Sequence, residues 1–203
     1  MGNESEDMLI AMVSIVLAFA IAFGGLGVFF QPNLIPKLAI ILFTVGVGFI
    51  SHELGHKWMA ERYGARARFV VWYQGLMIMF ISSIFGFIFA APGAVYIFKQ
   101  YMSKKENGII SLTGPVINLG LWLFFVIVLI GSAMLSIELT QIVKEISIFG
   151  MHVNALLAVF NLLPLFILDG AKVFNWNKGI WVSAFVLAIG MMFSSGMIAS
   201  LTL

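Results

Sequence analysis

The sequence predicts an all-α polytopic membrane protein with five or six transmembrane helices. A small membrane-associated β or re-entrant element follows the second of them. Three observations point there. Of 203 residues, 62% are hydrophobic and only 10% charged, against about 25% charged in soluble domains. Long apolar runs recur along the chain, each near or above the roughly 18 residues that mark a membrane helix. One of these runs is broken by small residues and proline, and a strand-like stretch precedes it.

The apolar segments are Met8–Phe30, Leu34–Ala60, Leu76–Phe98, Ile109–Met134, Ile142–Leu168 and Ile180–Leu203. The first follows "MGNESED", which has neither a basic region nor a small-residue cleavage site, so a retained membrane helix is expected. Five segments read as ordinary spanning helices. Leu76–Phe98 contains Ser82, Ser83, Gly86, Pro92 and Gly93. Just before it, "ARARFVVWY" (Ala65–Tyr73) reads as a strand. No polar linker or repeat divides the chain, so a single domain over 1–203 is expected, without a PDZ-like or other soluble regulatory domain.

Basic residues set the expected topology. They gather in Ala60–Tyr73, Lys99–Asn107 and Asp169–Lys178, while Gln31–Asn33 and Ser136–Gln141 carry no Lys or Arg. All three basic loops reach the cytoplasmic side only if Leu76–Phe98 does not cross. A re-entrant helix or a β-hairpin turning at "APG" would achieve this; a plain sixth crossing is the alternative. Non-helical backbone at that depth needs cover from protein or a water-filled cavity. The net charge of +2, spread over short loops, excludes the concentrated basic face of a nucleic-acid binder. Cysteine is absent, so any metal must be held by histidine and carboxylate.

The most polar cluster lies inside an apolar segment: "FISHELGHKW" (Phe49–Trp58). His52, Glu53 and His56 form H-E-x-x-H. Histidines four apart share one helix face, roughly 6 Å apart along the axis. Both can hold one Zn²⁺, and Glu53 is then placed to take a proton from water. Two merely buried histidines would leave Glu53 unexplained, since an ionisable residue in a membrane is costly without a partner. Gly48 and Gly55 leave room for close helix contact. A catalytic zinc takes three protein ligands. Glu61 is too close on the same helix, and the other deep acids are Glu106, Glu138, Glu145 and Asp169. Of these only Asp169 has a promising context, "FNLLPLFILDG" (Phe160–Gly170). His152 lies roughly 25 Å from it along a straight helix and is not expected to be a ligand.

These motifs resemble the site-2 protease family of intramembrane metalloproteases. "HELGH" matches the family's first motif and "NLLPLFILDG" its N-x-x-P followed by D-G. "SLTGPVIN" (Ser111–Asn118) resembles its G-P-x-x-N segment. One difference is visible: many relatives carry further prolines before the D-G, where this chain has Phe166 and Ile167. The resemblance implies that His52, His56 and Asp169 bind one Zn²⁺ and that Glu53 is the general base. It also implies that Asn161 helps bind substrate or the oxyanion, the alternative being a cap for backbone groups freed by Pro164. Gly114, Pro115, Asn118, Asn154, Pro164 and Gly170 are expected to support the site, with Asn118 and Asn154 bridging helices.

The zinc and the topology are linked. His56 and Asp169 meet at one ion only if the basic loops share one side, which again argues against a sixth crossing. The expectation is a multi-pass zinc endopeptidase with its site toward the cytoplasm, acting on transmembrane segments of protein substrates. The family's β-structure after the first motif could pair with an unwound substrate strand. A regulatory protein partner is possible on this reading. Two other classes fit the sequence less well. A non-catalytic binder of membrane segments would want a fourth protein ligand to close its metal, and none is evident. A metal transporter would spread its ligands across the bilayer, whereas here they cluster at one depth.

Overall fold

In the computed structural model, which describes residues 3–89, 91–165 and 167–202, five helices are long and apolar enough to cross a membrane. These are α1 (Glu4–Gly24), α2 (Leu34–Arg62), α4 (Lys104–Met134), α5 (Gln141–Asn161) and α7 (Lys178–Thr202). Even the 21-residue helices reach about 31 Å, enough for a hydrocarbon core of about 30 Å. Large apolar side chains such as Phe23, Phe30, Ile35, Phe85 and Phe193 stand exposed, as suits a lipid environment rather than water. The arrangement is consistent with a multi-pass membrane protein.

The run Leu76–Phe98 does not form one continuous helix. It divides into α3 (Tyr73–Ile84) and strand β2 (Gly93–Phe98). At 12 residues, α3 reaches only about 18 Å, and Gly86, at φ 87°, turns the chain out of it. Strand β1 (Arg66–Val71) precedes α3 and pairs antiparallel with β2, from Arg66 opposite Phe98 to Val71 opposite Gly93. The expected hairpin turn at "APG" is therefore corrected. All of α3 is inserted between the strands, and the Ala91–Pro92–Gly93 stretch leads into β2, with Trp72 N–H donating to the Pro92 carbonyl at 3.0 Å.

Local chemistry brings both ends of this insertion to one end of the bundle. Helix α2 stops in a Schellman turn: Gly64, at φ 73°, lets its N–H reach the Glu61 carbonyl and that of Ala65 reach the Ala60 carbonyl. That turn reverses the chain into β1. On the far side, Ser103 and Glu106 form a capping box that starts α4. Lys99 joins the two ends by donating to the Tyr63 carbonyl at 2.7 Å and pairing with Glu106.

Helix α4 packs against α2, α5 and α6 (Asp169–Trp176). One apolar core, including Ile15, Val45, Phe69 and Met79, lies among α1, α2, α3 and the sheet. A second joins α4 to α5 through Phe125, Leu129 and Met151. Gly150 allows that approach, since a Cβ there would stand 2.4 Å from the Phe125 ring.

Candidate metal centre

Within α2, five residues (Leu42–Gly46) take π-helical turns just before the H-E-x-x-H motif. Thr44 supports this stretch by donating its hydroxyl to the Ile40 carbonyl at 2.6 Å. Single π turns of this kind often adjoin functional sites. Beyond them the helix is regular, and His52, Glu53 and His56 are all buried, with one ligand atom from each lying within 4.8 Å of the others.

Asp169 reaches the same place from α6. Helix α5 ends at Asn161 rather than at Leu168, and the chain then folds back before α6 begins. Gly170 makes the fold-back possible, because a Cβ on it would lie 2.1 Å from the Leu162 carbonyl oxygen. Asp169 Oδ2 stands 3.2 Å from His52 Nε2 and 3.0 Å from His56 Nε2. Its Oδ1 lies 3.5 Å from Lys172 Nζ.

The outer nitrogens of the two imidazoles are already committed. His56 Nδ1 lies 2.8 Å from the Ile110 carbonyl oxygen. Since a carbonyl only accepts, Nδ1 carries the hydrogen. His52 Nδ1 lies 2.6 Å from Asn118 Oδ1. Both Nε2 lone pairs therefore face the Asp169 oxygen, so three acceptors converge with a cation as the natural partner. In a tetrahedral zinc site with bonds of about 2.0–2.2 Å, donor atoms stand roughly 3.3–3.6 Å apart, a little above the 3.2 and 3.0 Å found here. Hydrogen bonds on the far side of each ligating imidazole are what fix tautomer and ring direction in zinc proteins. The group fits one Zn²⁺ ion. Gly114 keeps the space clear, because a Cβ there would stand 2.5 Å from His56 Nε2 and 2.6 Å from His52 Nε2.

Around the centre, Asn118 donates to the Gly48 carbonyl at 3.1 Å and to Asn154 Oδ1 at 2.9 Å, joining α2, α4 and α5. Pro115 sits inside α4, where it has no N–H for the Ser111 carbonyl one turn back. Gly55 meets Ile117 of α4, whose side chain a Cβ would approach to 2.2 Å. The Asn161 amide donates to the Leu157 carbonyl of its own helix at 3.0 Å. Pro164 is exposed in the fold-back, and Phe166 lies outside the described residues. His152 donates to the Ile148 carbonyl at 2.8 Å.

Three partners escaped the sequence reading. Val95 of β2 donates its backbone N–H to Glu53 Oε2 at 2.9 Å, Ile110 supplies only a carbonyl, and Lys172 flanks Asp169. The first two act through backbone, which leaves no mark in residue type. Lys172 was within reach, lying three residues beyond Asp169 on a short helix.

No family model and no solved structure matches the chain. A protein of Methanocaldococcus jannaschii named "Putative zinc metalloprotease MJ0611" is 43% identical over 191 residues, covering 93% of this chain and 94% of that protein. With such identity over nearly the whole of both chains, the protein belongs to the zinc metalloprotease family of this archaeal relative.

Proposed function

We propose that the protein is an intramembrane zinc endopeptidase of the site-2 protease type, cleaving transmembrane segments of membrane proteins near the cytoplasmic face. The observation that carries this reading is the convergence of His52 Nε2, His56 Nε2 and Asp169 Oδ2, next to Glu53 and within a set of apolar helices. The name of the archaeal relative supports the same chemistry. The positive charge around the metal end, from Arg62, Arg66, Arg68, Lys99, Lys104, Lys105, Lys172 and Lys178, supports a cytoplasmic orientation.

On this reading His52, His56 and Asp169 hold the ion. Zinc in that site supplies a Lewis acid for a peptide carbonyl and lowers the pKa of water to about 7. Glu53 accepts the proton as water oxygen bonds to the scissile carbon. It then delivers that proton to the amine nitrogen as the C–N bond breaks. Asn161 is assigned to the developing oxyanion, for which its amide must exchange the bond to Leu157. A substrate helix must unwind first, because its carbonyls are engaged and its backbone is enclosed. An unwound segment laid along the outer edge of β2 would stand beside Glu53.

The test is cleavage of a single-span substrate by the full chain in liposomes. Wild type should cleave it, and Glu53→Gln should not, while keeping its zinc. Substrate binding without cleavage by the zinc-loaded wild type would replace the enzyme with the non-catalytic binder.

A further inference from the structure

Asn154 lies on α5, which contributes none of the three ligands, yet it is fully buried and linked by directed bonds to the metal centre. The direction of each bond follows from groups that can only accept. Asn154 Nδ2 donates to the Gly150 carbonyl at 2.9 Å, which turns Asn154 Oδ1 toward Asn118. Asn118 Nδ2 donates to that oxygen at 2.9 Å and to the Gly48 carbonyl at 3.1 Å, which turns Asn118 Oδ1 toward His52. That oxygen lies 2.6 Å from His52 Nδ1, so Nδ1 carries the ring hydrogen and Nε2 is left bare. With the Asn118 amide reversed, its oxygen would face two acceptors. Its NH₂ would face Nδ1, sending the ring hydrogen to Nε2 and blocking that atom as a ligand.

We propose that Asn154 is a positioning residue for the metal: acting through Asn118, it holds His52 in the tautomer whose Nε2 binds zinc. Gly48 belongs to the same device, since a Cβ there would stand 2.7 Å from Asn154 Oδ1 and push the amide away. Zinc affinity thereby depends on how α5 seats against α2 and α4. The inference rests on the metal reading of His52, His56 and Asp169. It makes no use of proteolysis, so failure of the protease assignment would leave it standing.

The test is a double-mutant cycle on zinc affinity, read by chelator competition on the full chain in detergent. Asn118→Asp presents an oxygen to His52 Nδ1 whichever way the carboxylate turns, so it has no orientation to lose. Asn154→Leu should weaken zinc binding about tenfold in the wild-type background, within the range for partners of metal ligands. In the Asn118→Asp background the same change should cost less than about twofold. Asn154→Ser, which adds no apolar bulk against Gly48, is measured in parallel so that an unfolded leucine variant does not end the test. Equal losses in both backgrounds would reduce Asn154 to helix packing. No loss in either would remove it from the metal centre altogether.

Discussion

Val95 and Phe69 face each other across the two-stranded sheet, and each sends its backbone N–H outward to a carboxylate, Glu53 and Glu4 respectively, both at 2.9 Å. They form a non-hydrogen-bonded pair, so neither donor is used in the ladder. The two outer edges are nevertheless guarded differently. Glu4 is also held by Lys57 at 2.6 Å, and Asp7 beside it by Arg68 at 3.3 Å, so α1 closes the β1 edge. At Val95 the guard on the β2 edge is the carboxylate assigned as the base. On the proposed function, a substrate strand taking the Val95 donor would also free Glu53.

Val95→Pro tests that arrangement. It removes a donor that the ladder does not use, and proline is tolerated on strand edges. The expected outcome is a KM for a single-span substrate raised about tenfold, with zinc content unchanged, because one edge hydrogen bond and its register are lost. Steady-state cleavage in liposomes measures it; an unchanged KM would place the substrate elsewhere.

Glu53→Gln keeps an amide oxygen to accept from Val95 but cannot carry a proton. Its kcat should fall by about 10²–10⁴, the range for loss of general acid–base catalysis. Zinc per chain should stay at the wild-type level. Metal analysis and cleavage, run on one preparation, separate a lost base from a lost metal.

Asp169→Ala removes the carboxylate through which α6 meets both imidazoles. Two histidines alone hold zinc poorly compared with three ligands, so metal per chain should drop well below that of wild type. Full retention of zinc would break the assignment of Asp169 as the third ligand.

Much of this centre was legible in sequence because its geometry is local. Histidines four apart share a helix face whatever surrounds them, so His52 and His56 needed no tertiary information. Asp169 was reachable only through its D-G context and the resemblance, since nothing in helical periodicity brings it back across a fold-back shaped by Gly170. The division of Leu76–Phe98 was half legible: its serines, glycines and proline argued against a plain helix. They did not reveal that α3 stands between the strands, because strand pairing is a long-range choice. The Val95 and Ile110 contacts were illegible for a simpler reason, as every residue except proline offers the same N–H and every residue the same carbonyl.

The glycines of the two distant motifs make the sharpest structural prediction. At Gly170 an added Cβ would lie 2.1 Å from one backbone oxygen and 2.5 Å from another, those of Leu162 and Leu163. Backbone cannot rotate aside as a flexible side chain can, so Gly170→Ala must move the start of α6 and carry Asp169 with it. At Gly114 the Cβ would meet both Nε2 atoms at 2.5–2.6 Å, and those rings are held from behind by Asn118 and the Ile110 carbonyl. Each alanine variant should weaken zinc binding by at least about tenfold, by different routes. Gly170→Ala displaces a ligand, so it should add little to the loss already caused by Asp169→Ala. Gly114→Ala crowds the imidazoles and should weaken zinc further in that background. Chelator competition on the three single and two double variants measures both. Equal behaviour of the two glycines would mean that one of these routes is wrong.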